Sequence, residues 1–191
     1  MNGSVSLVLL HYPVVDKAGN EITSAVTNLD LHDLARISCT YGAGEVWIVT
    51  PIPEQQQLVR DIVTHWTDGH GGRHNPDRRL ALSCIRLAHS LGEVVESVAK
   101  QTDGEVFTVA TSAKKIGTTI SFAGLRQLLE RQAGRYLLLL GTSWGISGRL
   151  LATVDYLLEP IEPDRGYNHL PVRAAAAIMF DRLLARRPES R

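Results

Sequence analysis

An α/β domain, with a mostly parallel sheet covered by helices on both faces, is what this sequence predicts. Three observations carry the prediction. Short apolar runs suited to strands recur along the 191 residues: SVSLVLLHY, EVWIVT, EVFTVAT and LLLL. Segments with apolar residues at helical spacing alternate with them. The leucine run Leu137–Leu140 passes directly into a turn, GTSWGISG, that contains Gly141, Gly145 and Gly148. A buried strand that ends in a glycine turn is where α/β proteins bind small molecules.

The elements follow in order. Ser4 to Tyr12 reads as the first strand, closed by Pro13. Leu29 to Tyr41 has helical spacing, with Leu31, Leu34, Ala35 and Ser38 on one face and Gly42 as its stop. Glu45 to Thr50 is β-branched and aromatic, hence a strand. Pro53 to Thr67 is a helix. Asp68 to Arg79, DGHGGRHNPDRR, contains no apolar residue and reads as one long exposed loop. Leu80 to Ala88 fits either strand or helix. Leu91 to Gln101 is an amphipathic helix, Glu105 to Thr111 a strand, Phe122 to Gln132 a helix and Tyr136 to Leu140 a strand. Tyr156 to Leu158 is a short strand. Leu170 to Arg187 is the last helix, with a stripe of Val172, Ala176, Met179 and Leu183. No internal repeat or linker interrupts the chain, so residues 1–191 read as a single domain.

Composition narrows the function. A hydrophobic fraction of 44% with 21% charge is ordinary for a globular protein. Twenty basic and twenty acidic side chains cancel, which argues against a generally polyanion-binding surface but allows a local patch. No apolar run is long enough to span a membrane, and no basic segment precedes the apolar N-terminal run, so neither a membrane anchor nor a secretory signal is expected. Cys39 and Cys84 lie in apolar-patterned segments, where buried thiols are expected rather than a disulfide, and a cytoplasmic chain follows as the default. The absence of CxxC pairs and of His/Cys clusters at zinc spacing predicts no metal.

The common catalytic motifs are missing. There is no GxGxxG, no GxxxxGK[ST] and no GxSxG; Ser143 in G-T-S-W-G falls one residue short of the last. Gly141 and Gly145 allow a ligand close to the backbone, although a plain turn uses glycine too. Asn168 and His169 precede the run Ala174–Ala177 and suit the cap region of the last helix. Arg36 sits among Asp30, His32 and Asp33, which by themselves describe a solvated helix face. Arg73, His74, Arg78 and Arg79, with Arg60 and Arg86 near in sequence, offer either a phosphate-binding patch or an ordinary solvated loop.

Three segments taken together narrow these alternatives. NLDLHDLARISCTYG (Asn28–Gly42), LLLLGTSWGIS (Leu137–Ser147) and YNHLPVRAAAAIMFDRLL (Tyr167–Leu184) resemble the three motifs of the SPOUT, or α/β-knot, methyltransferases. The chain is closest to a small family of SAM-dependent RNA methyltransferases with an NHL-x-VR-x-A start to the last helix. The loop GGRHNPDRR and the Thr111–Ala113 triplet TSA also look like that family, so the likeness covers nearly the whole chain.

The resemblance implies a C-terminal deep trefoil knot, which pattern reasoning would not propose. It implies S-adenosyl-L-methionine as cofactor, S-adenosyl-L-homocysteine as product, an RNA substrate with tRNA expected first, and a homodimer. It implies three cofactor loops: Thr111 and Ser112; Gly141, Thr142, Ser143, Trp144 and Gly145; and Leu158, Ile161, Tyr167, Asn168 and Leu170. Arg36 matches the arginine of the ribose-methylating branch and, with His169, is the expected catalytic pair; His32 is an alternative base. Arg73, Arg78 and Arg79 are the expected RNA contacts. The asparagine usual six residues before the arginine is Asp30 here, so a base nitrogen stays open beside the ribose 2′-hydroxyl. A SAM- or RNA-binding module without turnover is the alternative.

Overall fold

The structure, a computed structural model, describes residues 2–162 and 166–186. Its centre is a six-stranded sheet. The strands are β1 (Gly3–Leu10), β4 (Val46–Val49), β5 (Ile85–Ala88), β6 (Val106–Ala110), β7 (Gly134–Gly141) and β8 (Tyr156–Leu157). They lie in the order β5-β4-β1-β7-β6-β8, and every neighbouring pair is parallel. A separate antiparallel pair, β2 (Val14–Val15) and β3 (Glu21–Ile22), follows β1. The expected α/β class with a mostly parallel sheet is therefore the observed one.

Helices cover both faces of the sheet. Alternate residues of each strand divide between two clusters, as the two-residue period of a strand requires. Val5, Leu7 and Leu9 of β1 join Tyr136, Leu138 and Leu140 of β7 in the larger one. That core is closed by α1 (Asn28–Thr40), α2 (Pro53–Thr67), α4 (Pro76–Leu82), α6 (Phe122–Arg131) and α8 (Val172–Leu184). Val8 and Leu10 join Leu137 and Leu139 in the smaller one, beneath α5 (Leu91–Ala99) and α7 (Gly148–Leu151). The stripe expected on α8 is correct for Ala176, Met179 and Leu183, and Phe180 is buried with them.

Local chemistry sets the helix starts. Pro53 occupies the first turn of α2, where its missing N–H is not needed. Thr27 caps α1 by accepting from the Asp30 amide at 3.3 Å, while its hydroxyl donates to the Asp30 carboxylate at 2.7 Å. Ser90 caps α5 in the same way, and Glu93 reaches back to the His89 amide at 2.7 Å.

Four expectations need correction. Asp68 to Arg79 is not a loop: it forms α3 (His70–His74) and the start of α4. Apolar periodicity is absent there because glycines do the packing. Gly71 and Gly72 are buried, and a Cβ on either would collide with Trp66. Asn75 then accepts from the Arg78 amide at 2.9 Å, and Pro76 opens α4. Leu80 to Ala88 is both alternatives in turn, helix to Leu82 and strand from Ile85. The expected solvated face of α1 is wrong for Asp30, which is buried and bound by the Arg173 guanidinium at 3.2 Å. Finally, Cys39 is exposed and Cys84 only partly buried. The Cys84 thiol is pushed up to about 12 by its own burial and by Cys39 beside it. Among the described residues no helix is long and apolar enough to cross a membrane, and no group of three or more His, Cys, Asp and Glu could hold a metal ion.

Candidate functional site

Strands β7, β6 and β8 are neighbours, so the three loops that leave their carboxyl ends meet at one edge of the sheet. After β6, Thr111 turns inward. Its amide and its hydroxyl both donate to the Leu139 carbonyl, at 3.2 and 2.9 Å. Ser112 accepts from the Lys114 amide at 3.0 Å. After β8, the Leu158 amide donates to the Ala110 carbonyl at 2.9 Å, which ties the third loop to the first. Leu158 and Ile161 bury their side chains in the core and leave main chain at the site. Asn168 donates from Nδ2 to the Ala113 carbonyl at 2.8 Å, a second tie between the same loops. That contact corrects the capping role expected of Asn168. The cap position of α8 is Pro171, with no side-chain bond.

The loop after β7 is the most constrained. Thr142 binds the Leu10 carbonyl through both its amide and its hydroxyl, at 3.3 and 3.1 Å. Ser143 and Gly145 have φ of +56° and +111°, and Gly145 is the residue type that accepts this conformation without strain. Gly141 is needed for a different reason. A Cβ there would stand 2.7 Å from the Ile146 amide nitrogen. The β2–β3 hairpin holds the turn from outside: Trp144 donates to the Val15 carbonyl at 3.0 Å, and Val15 donates to the Gly145 carbonyl at 2.9 Å. From inside, the Thr142 hydroxyl bonds Ser24, and Ser24 bonds Nδ1 of the buried His11 at 2.9 Å. Burial pushes the His11 pKa down to about 4, against the opposing pull of the Asp30 carboxylate. Nothing in the sequence distinguishes His11 from a strand-end histidine, and sequence reasoning missed it.

Trp144, Tyr167 and Leu170 are 59%, 72% and 43% exposed on these loops. These exposed apolar side chains and the hydroxyls of Ser112 and Ser143 sit on the loops at the carboxyl ends of β6, β7 and β8, where α/β proteins bind small molecules. His169 stands edge-on to Tyr167, with ring centroids 5.3 Å apart.

Arg36 belongs to another place. It lies on the outer side of α1 between two clefts, one of about 620 Å³ against α2 and α4 and one of about 400 Å³ against α8. The larger gathers His32, Asp33, Arg36, His65, Trp66 and Arg78. Arg78 lies 5.0 Å over the Trp66 ring, and His32 and His65 both meet that ring edge-on. Burial, then the cations of Arg78 and Arg36, lower the His32 pKa. Of the expected RNA contacts, Arg78 enters this cleft, while Arg73 and Arg79 stay exposed on α3 and α4. Trp66 and His65 were not singled out from sequence. Trp66 lies within the apolar pattern of α2 and carries no local signature.

A family model described as SAM-dependent RNA methyltransferase matches residues 4–185. A tRNA (guanine-N(1)-)-methyltransferase of Oleidesulfovibrio alaskensis is 42% identical over 176 residues, covering 92% of this chain and 41% of that protein. The chain thus spans about two fifths of that relative's length. An uncharacterised protein of Aquifex aeolicus is 37% identical over 186 residues, covering 97% of this chain and 91% of its own. Among solved structures, a probable methylase family protein from Haemophilus influenzae superposes with a TM-score of 0.61 at 18% identity, covering 96% of this chain and 66% of that one.

Proposed function

The chain belongs to the family of SAM-dependent RNA methyltransferases, and from that premise we propose that it methylates a structured RNA, tRNA in the first place, on a ribose 2′-hydroxyl. The observation that carries this reading is the meeting of three loops at the ends of β7, β6 and β8. Thr111 and Ser112, Gly141 to Gly145, and Leu158, Ile161, Tyr167, Asn168 and Leu170 hold the cofactor there. The proposal includes residues 1–191 as a single catalytic domain, the C-terminal trefoil knot and the homodimer. The placement of β8 outside β6, with α8 returning to pack on α1 and α6, supports the knot. The small-residue run on α8 supports a close subunit contact.

When bound, SAM supplies a methyl group on a positively charged sulfur. The protein must align the acceptor and manage its proton. A guanidinium keeps its proton in proteins, so Arg36 is not the base. Arg36 lies apart from the three loops of its own chain, so its role rests on the proposed homodimer: there it would hold a phosphate beside an acceptor seated at the partner subunit's loops and stabilise the negative charge that grows on the acceptor oxygen. His169, in the third loop, takes the proton. His32 is the other candidate, and its lowered pKa leaves it neutral and able to accept at pH 7.

A base nitrogen is the second reading, favoured by the name of the Oleidesulfovibrio relative. That name describes a protein more than twice as long, so its chemistry need not reside in the shared part. Incubation of the protein with SAM and unmodified tRNA, followed by digestion to nucleosides and mass spectrometry, separates the two. A 2′-O-methyl nucleoside is expected. A methylated base would overturn the acceptor, and tight SAM binding with no product would overturn catalysis. Arg36→Ala should keep SAM affinity and lower turnover by roughly 10²–10³.

A further inference from the structure

The 620 Å³ cleft on α1, α2 and α4 lies outside the three cofactor loops, yet it has the makings of a ligand site. Its volume is within the ~300–1,000 Å³ typical of small-molecule sites. Its charges are unevenly committed. Asp33 accepts from Arg173 at 2.8 Å, and Asp61 accepts from Gln57 at 2.7 Å. Arg36 is left with a distant 4.0 Å approach to Asp33. Arg78 has no carboxylate partner among the described residues and lies 5.0 Å over the Trp66 ring. His32 Nδ1 is buried without a hydrogen-bond partner. A buried polar nitrogen left unpaired is costly, and a bonded ligand would remove that cost. Both guanidinium groups are near enough to His32 to lower its pKa, so the two cations share one neighbourhood.

We propose that this cleft is a nucleotide subsite for the RNA substrate. One nucleotide lies with its phosphate between Arg36 and Arg78 and its base against the Trp66–Arg78 stack, with His32 and His65 at the base edge. The inference rests on the RNA methyltransferase reading and adds where the RNA is gripped. The chemistry matches what single-stranded RNA requires. Unstacked bases pile on aromatic rings and guanidinium planes, and imidazole nitrogens can donate to or accept from a base edge. Arginine binds phosphate through a planar pair of donors. Asn28 and Leu29, the start of α1, also line the cleft, and Arg36 borders the second cleft beside Arg173. A nucleotide seated here would hand its neighbour along the chain past Arg36. The cation–π pair of Arg78 and Trp66 thereby becomes one wall of a binding site.

Two measurements test the subsite. Ring resonances of His32 and His65, assigned with His32→Gln and His65→Ala variants, are followed by NMR while CMP, GMP, AMP, UMP or inorganic phosphate is added. Both rings should shift with a nucleoside monophosphate and much less with phosphate alone. Shifts of equal size with phosphate would reduce the cleft to a generic anion site and overturn the base contact. In parallel, Arg78→Gln should bind tRNA roughly tenfold more weakly and with a salt slope smaller by about one, while SAM affinity stays unchanged. Thermal unfolding establishes that this variant is folded, and His65→Ala, exposed and away from the core, serves as a second probe. Unchanged tRNA affinity and slope in both variants, with the wild type still methylating tRNA, would sink the subsite and leave the methyltransferase reading standing. A wild type that binds no tRNA would sink both.

Discussion

The glycine turn after β7 and the outer cleft are built from different materials. The turn after β7 is made of backbone. Glycines, amides and carbonyls hold Thr142 to Leu10, Trp144 to Val15 and Gly145 to Thr142. The cleft is made chiefly of side chains on helices, among them two arginines, two aspartates, two histidines and a tryptophan. Backbone sites tie ligand binding to the integrity of the fold, because a substitution that disturbs the ligand disturbs the chain as well. Side-chain sites on helices can be altered without that penalty. A mutational scan of this protein should therefore show coupled loss of stability and SAM binding in the turn, and loss of function alone in the cleft.

The strongest way to break this contrast is Gly141→Ala. Its new methyl would meet the Ile146 nitrogen at 2.7 Å and the Gly145 carbonyl carbon at 3.0 Å, backbone atoms that cannot swing aside. A loss of about 3 kcal/mol or more in unfolding free energy is expected, together with loss of SAM binding. Gly145→Ala, with open space around it but φ of +111°, should cost only ~1–2 kcal/mol. Chemical denaturation and calorimetry on both variants check the order. A stable Gly141→Ala protein would remove the claim that the turn is locked by its backbone.

The next effect depends on pH. His11 has a folded pKa near 4 against an ordinary 6.5. Between those values the unfolded chain binds a proton that the folded chain refuses. Stability from this group is therefore complete above about 6.5, falls as the pH drops towards 4, and levels off below it. The span amounts to roughly 3 kcal/mol. Because His11 reaches the turn through Ser24 and Thr142, SAM affinity should fall in the same window. His11→Asn should flatten both profiles, and an unaltered pH slope in that variant would detach His11 from the turn.

The smallest effect sharpens the contrast from outside. Arg149 grips Glu21 through two bonds of 3.1 Å and so pins the β2–β3 hairpin over the turn. The Arg149 side chain is 70% exposed, and solvent screening leaves exposed pairs with little effect on stability. Arg149→Ala should lower Tm by less than about 4 °C and leave SAM affinity intact. A larger loss would mean that the hairpin, not the sheet, carries the turn.

Strands β1, β4, β6 and β7 were legible because sheets buried on both faces need continuous apolar runs, and SLVLL, VWIV and LLLL supply them. The limits of α2 were legible because Pro53 marks its start. Of the short elements only β8 was legible, from the apolar run at Tyr156 to Leu158. Two-residue strands such as β2 and β3 have no period to detect. The helices α3 and α4 rest on Gly71 and Gly72 packed against Trp66 and on the Asn75 cap, and such packing leaves no apolar stripe. At the site, the turn announced itself through its glycines, whereas its supports did not. The bond from His11 through Ser24 to Thr142 spans 118 residues at its last step, and the Arg78–Trp66 stack joins a helix to a segment that reads as loop. Local patterns record local contacts, so partners far apart in sequence leave no mark.

β1, which precedes the other strands of the sheet in the chain, lies in the middle of the sheet and pairs along its whole length with β7, Gly3 against Gly134 through Leu10 against Gly141. During synthesis at ~5–20 residues per second, one flank of β1 waits on the order of ten seconds or more for its partner to emerge. Through that interval Val5 to Leu10 present an unpaired apolar edge, the kind that neighbouring chains capture. Production of the protein in cells should thus depend on how fast it is translated and on how well that edge is sheltered, even where the finished domain is stable.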